Sequence, residues 1–101
     1  MTNYDIITAA IDKYGEDQQI IVAIEELSEL QKELTKHLRG EGNQKHIAEE
    51  MADVRIILSE LGFIFNNFEK VTEWEGVKLN RLWQRVHLCE GGACPIIYDP
   101  Q

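Results

Sequence analysis

Two runs of apolar residues flank the stretch RGEGN, and both recur at intervals of three and four. They fall at positions 20, 24, 27, 30, 34 and 38 before it, and at 47, 51, 54, 58, 61 and 65 after it. That period puts each run on one face of an α-helix, whereas a half-buried strand would alternate. No stretch of the chain alternates in that way, so the sequence implies an all-α fold. Breakers mark off its pieces: Gly15, the RGEGN turn at 39–43, FNNFE at 65–69 and the glycine pair at 91–92. The spacing predicts helices over 3–14, 17–38, 43–66 and about 69–90, arranged as a four-helix antiparallel bundle.

Asp17 and Asn43 suit the N-caps of the second and third helices, because their side-chain oxygens can accept from unpaired first-turn amides. Thr72 with Glu75 reads as a capping box, which would start the fourth helix later. Residues 1–90 then form one helical domain. The tail at 91–101, GGACPIIYDPQ, holds two Pro and two Gly and is expected to be irregular, with Ile96, Ile97 and Tyr98 available to pack on the bundle. Cys89 and Cys94 in CEGGAC match neither a CxxC metal pattern nor a disulfide framework. Free thiols are the simplest reading, with a local disulfide or a Cys-bound metal as alternatives.

A chain of 101 residues can bury one core but not enclose a deep cavity, so oligomerisation is expected. Eighteen Asp and Glu against ten Lys and Arg give a net charge of −8. Such a chain repels phosphate backbones, which argues against general nucleic-acid binding; an anionic ligand would need a cation between itself and the protein. Uncharged stretches such as 56–59 and 61–67 are too short to cross a bilayer, and no basic N-terminal region precedes an apolar run. A soluble intracellular protein with no membrane partner is the expectation.

The sequence repeats a doubled acid followed three residues later by a carboxylate: EELSE at 25–29 and EEMAD at 49–53. On a helical wheel the members of each doublet separate by about 100°. Glu50 falls inside the apolar arc of Ile47, Met51, Val54, Ile57, Leu58 and Leu61, while Glu49 falls outside it with Ser59 and Glu60. Asp53 lies about 60° from Glu50, at the edge of the arc. On the second helix Glu25 points away from the apolar stripe and Glu26 borders it, with Glu29 about 60° further round. If residue 41 is the midpoint of the turn, Glu29 and Asp53 each lie roughly 18 Å along their helices and come level, with Glu26 and Glu50 a turn to either side.

Antiparallel packing would then focus Glu26, Glu29, Glu50 and Asp53 on one small volume. Four ionised carboxylates cannot share it without compensation, and a hard divalent cation, Mg²⁺ with Mn²⁺ as a substitute, resolves the conflict. Ordinary surface acids in an acid-rich chain remain the other reading. A ferritin-like di-iron centre requires Glu-x-x-His pairs, and none occurs; His37, His46 and His87 are not spaced to join the acids. Lys78, Arg81 and Arg85 fall within about 60° on the fourth helix, either as phosphate donors or as a salt-bridged face. Lys36 and Arg39 are weaker donor candidates. Gln19 could hydrogen-bond a base edge and Trp74 or Trp83 could stack on it, although tryptophans at helical spacing also serve as core.

The ExxE of Glu26 and Glu29, a spacer of 20 residues, and the ExxD of Glu50 and Asp53 together resemble the MazG-like all-α nucleoside triphosphate pyrophosphohydrolases. QQIIVAIEELSELQKELTKHLRG and HIAEEMADVRIIL look like the short phage and bacterial members, over roughly residues 14–85. The resemblance implies hydrolysis of a (d)NTP between the α and β phosphates to (d)NMP and pyrophosphate, with Mg²⁺ held by the four acids. It also implies a homodimer or homotetramer with sites near subunit interfaces, in a bacterial or phage-infected cytoplasm. A carboxylate would serve as general base, Glu26 first and Glu25 in reserve. A related phosphoribosyl-ATP pyrophosphohydrolase, or a non-catalytic helical oligomer that binds nucleotides, are the alternatives.

Overall fold

The computed structural model describes residues 1–88. They form four helices: α1 at Asn3–Tyr14, α2 at Glu16–Leu38, α3 at Gln44–Phe65 and α4 at Phe68–Leu88, with no strand among the described residues. No described helix is long and apolar enough to cross a membrane. Residues 89–101, with both cysteines and the irregular tail expected from the sequence, lie outside the described residues.

Local chemistry accounts for the boundaries of α1, α2 and α3. Thr2 caps α1: its hydroxyl accepts from the Asp5 amide at 3.1 Å, and the Asp5 carboxylate accepts from the Thr2 amide at 3.0 Å. These reciprocal bonds satisfy two first-turn donors and, the backbone bond first, hold the Asp5 carboxyl below its ordinary range. Gly15 alone joins α1 to α2, at φ 88°, a conformation that residues with a Cβ rarely adopt. Gly15, not Asp17, is therefore the N-cap of α2. Asp17 lies with Glu16 in the first turn, where the positive end of the helix favours carboxylates.

The end of α2 is a Schellman motif. Gly40, at φ 81°, donates its amide to the His37 carbonyl at 3.0 Å, and the Glu41 amide reaches back to the Lys36 carbonyl at 2.9 Å. Gly42 then lies so close to the last turn of α2 that a Cβ there would sit 2.6 Å from His37 Cα. Asn43 caps α3, its Oδ1 accepting from the Lys45 amide at 2.9 Å and the His46 amide at 3.4 Å. Asn66, left-handed at φ 50°, ends α3. Because only Asn67 follows before α4 begins, the Thr72–Glu75 pattern falls inside the helix and is not its start.

The chain divides into two compact units, Met1–Asn66 and a second that begins at Asn67 and carries α4. Within the first unit α2 packs antiparallel on α3, and the Tyr4 ring of α1 meets Phe63 of α3 edge-on at 4.9 Å. The α2–α3 seam differs from the one the apolar period suggests. Its buried residues are Gln19, Ala23 and Glu33 on α2 and Ile57 and Glu60 on α3. Ile24, Leu27, Leu34, Leu38, Met51, Leu58 and Phe65, most of the two periodic runs, are exposed. The helices meet along the border of the apolar arcs, where the small Ala23 permits close approach, and the centres of those arcs face outward.

Candidate metal centre

The seam register decides which carboxylates meet. Glu26 of α2 and Glu50 and Asp53 of α3 each offer an oxygen to a group whose atoms lie within 4.8 Å of one another. Glu26 and Glu50 are half-buried and Asp53 is exposed, while Glu25 and Glu49, the outer member of each doublet, are exposed. In each doublet the second acid thus turns toward the seam and the first away from it, because a step of one position turns the side chain by about 100°.

Glu29 lies outside this group and is exposed. A turn midpoint at residue 41 would bring it level with Asp53, but the turn is not symmetric. The Schellman closure and the seating of Gly42 on His37 draw the start of α3 back onto the end of α2. The offset is about one helical turn, so Glu26 takes the place opposite Asp53.

The electrostatics of the trio are those of acids held against their repulsion. The Glu26 carboxyl is raised above its ordinary value, first by burial, then by the charge and hydrogen bonding of Asp53, then by Glu50. Glu50 Oε2 is buried with no hydrogen-bond partner. A buried carboxylate oxygen without a donor is costly, and an all-oxygen donor set of this kind matches a hard divalent cation.

The other candidates fall elsewhere. Gln19 is buried and its Nε2 donates to Glu60 Oε2 at 3.0 Å, so this amide lies within the seam and not on a ligand-facing surface. Lys36 pairs with the buried Glu33 at 3.6 Å, and Arg39 with Glu41 at 3.6 Å. Lys78, Arg81 and Arg85 lie on α4 in the second unit, Arg81 and Arg85 half-buried, each with interactions of its own. Trp74 and Trp83 on the same helix are exposed and not core; Lys78 Nζ stands 6.0 Å from the Trp74 ring centre, and Trp83 meets His87 edge-on.

Of the buried polar residues, Glu33 and Glu60 are absent from the site read off the sequence, and Gln19 enters it only as a base-edge candidate and not as a seam residue. Their signal was a seven-residue recurrence: Gln19, Glu26 and Glu33 on α2, and His46, Asp53 and Glu60 on α3. No family model, curated protein or solved structure matches the chain. Fold and site together define an all-α protein with a carboxylate cluster between two antiparallel helices.

Proposed function

We propose that the chain is a Mg²⁺-dependent nucleoside triphosphate pyrophosphohydrolase of the MazG-like kind, cleaving a (d)NTP at the α–β bond to (d)NMP and pyrophosphate. Its setting would be nucleotide-pool housecleaning in a bacterial or phage-infected cytoplasm. The observation that carries the reading is the convergence of Glu26, Glu50 and Asp53 within 4.8 Å across two helices, in a chain whose ExxE and ExxD spacing resembles that family.

Glu26, Glu50 and Asp53 would hold the ion, with Glu29, three residues from Glu26 on the same helix, as a fourth oxygen donor. When bound, Mg²⁺, or Mn²⁺ in its place, neutralises the phosphate oxygens and favours attack by water. Glu26 is the first choice of general base, because its place at the border of the seam leaves it near both metal and solvent. Glu25 is the reserve, exposed beside it. A homodimer or homotetramer is supported by the exposed apolar rows of α2 and α3.

Incubation of the purified protein with each common NTP and dNTP and Mg²⁺ tests the reaction. Release of pyrophosphate, not orthophosphate, is expected, and Glu50→Gln should abolish it. Absence of turnover with every nucleotide, unchanged by the substitution, would overturn the assignment.

A further inference from the structure

Three observations fix one axial register between α2 and α3. Gln19 Nε2 donates to Glu60 Oε2 at 3.0 Å. Seven residues on along α2 and seven back along α3, Glu26 meets Asp53 in the carboxylate group. Eleven further along α2, and eleven back from Asp53 into the turn before α3, His37 lies against Gly42. The acidic cluster is therefore bracketed, with the turn at one end and the Gln19–Glu60 pair at the other. The buried apolar residues Ala23 and Ile57 lie between that pair and the cluster.

Apolar packing alone leaves the register loose, because apolar residues recur every three or four positions on both helices and a slip of one turn brings apolar against apolar again. Glu60 removes that freedom. It is 6% exposed and Gln19 is 7% exposed. A one-turn slip in one direction sets Glu60 against Val22 and Ala23, and in the other against Gly15 and Glu16. Gln19 would then face Phe63 and Ile64, or Ile56 and Ile57. Either slip leaves a buried carboxylate without its donor, the situation proteins strongly avoid. A single buried polar pair in a helical seam fixes register in this way at some expense of stability.

We infer that the Gln19–Glu60 hydrogen bond is a register key, and that these two residues position Glu26, Glu50 and Asp53 from two turns away without touching metal or substrate. The consequence for metal binding rests on the proposed reading of the cluster; the consequence for register does not. The test separates them. Spin labels at the exposed Gln18 and Ala48, with Cys89 and Cys94 replaced by serine, lie roughly 20 Å apart along the helix axes, and their distance is measured by double electron–electron resonance without metal. Mn²⁺ affinity is measured by calorimetry on the unlabelled protein.

Gln19→Met with Glu60→Met, which keeps volume and removes the polar pair, is expected to shift or broaden the label distance by about 5 Å, one helical turn. It is also expected to weaken Mn²⁺ binding about tenfold or more, as loss of a supporting shell does. The exchanged pair, Gln19→Glu with Glu60→Gln, keeps donor and acceptor and should restore both. An unchanged distance in the methionine pair overturns the register key, whatever Mn²⁺ does. A shifted distance in a protein whose parent binds no Mn²⁺ supports the key and overturns the metal reading instead. Should the methionine pair not fold, Gln19→Glu alone sets two carboxylates face to face at that level. It must displace the labels in the same way, and an unmoved distance there also overturns the key.

Discussion

The two faces of the α2–α3 pair carry opposite chemistries, each on the side where a lone helical hairpin would not place it. The inner seam buries Gln19, Glu33 and Glu60 beside Ala23 and Ile57, and half-buries Glu26 and Glu50. The outer face exposes Ile24, Leu27, Leu34, Leu38, Met51, Leu58 and Phe65. Covering such side chains is worth about 1.5 kcal/mol or more each, on the order of 10 kcal/mol for the row before the entropy of association is subtracted. A polar seam with an apolar exterior is intelligible if the seam serves binding and the exterior serves assembly. Each half of that division can be broken separately.

The largest effect should come from Glu50. Glu50→Gln removes a charge from the trio and is expected to lower pyrophosphate release by about 100-fold or more, beyond the 10- to 100-fold typical of supporting residues. Metal-free stability should move the other way. The variant relieves repulsion on Glu26, so its thermal midpoint should rise, by about 4–8 °C for each kcal/mol gained. A variant that is both inactive and less stable without metal would show that the acids hold the seam together, and the division of labour would fail.

On the exterior, Leu27→Glu is expected to weaken self-association by about 2 kcal/mol or more, roughly 30-fold, read by light scattering over a concentration series. Glu26→Gln, in the seam, should leave the assembly unchanged. If Leu27→Glu leaves the molar mass where it was at every concentration, the apolar face is not what joins subunits. A smaller effect is expected at the turn. Gly42→Ala brings a methyl group within 2.6 Å of His37 Cα, and the overpacking should cost about 1–3 kcal/mol in chemical denaturation.

Much of this arrangement was legible in the sequence, and the parts that were not share a cause. The 3.6-residue period and the breakers gave four helices with boundaries within a residue or two wherever the structure describes them. The wheel separated Glu26 from Glu25 and Glu50 from Glu49, because that sorting depends only on the helix itself. What the wheel could not give was which face the partner helix would choose. That choice follows from the Schellman turn and from the small Ala23, which lets the helices meet off the centre of the apolar arc. The same turn moved the level of Asp53 from Glu29 to Glu26, since a turn counted as symmetric hides an offset of one helical turn. Gln19 was readable as polar, but its partner Glu60 is 41 residues away, and only the shared seven-residue step connected them.

The smallest effect expected is a pH dependence that distinguishes the seam from ordinary surface acids. The Glu26 carboxyl is raised by burial first and by Asp53 and Glu50 second, so the folded state binds its proton more tightly than the unfolded state does. Its contribution to stability is fully present below the unfolded value, about 4.3, and is lost as pH rises through the higher folded value. The thermal midpoint of the metal-free protein relative to Glu26→Gln should therefore be higher near pH 4.5 than at pH 7. Asp5, lowered by the Thr2 cap, behaves oppositely: its contribution is present above the ordinary aspartate range and lost as pH falls through its lowered value. The two groups titrate in different windows, so Thr2→Ala should alter only the acid limb of the curve. Mn²⁺ at pH 7 should restore the stability that deprotonation of Glu26 removes, and do so less as pH falls, because proton and cation compete for the same oxygens. A Mn²⁺ effect on the midpoint that is equal in Glu26→Gln, or independent of pH, would place the cation somewhere other than this seam.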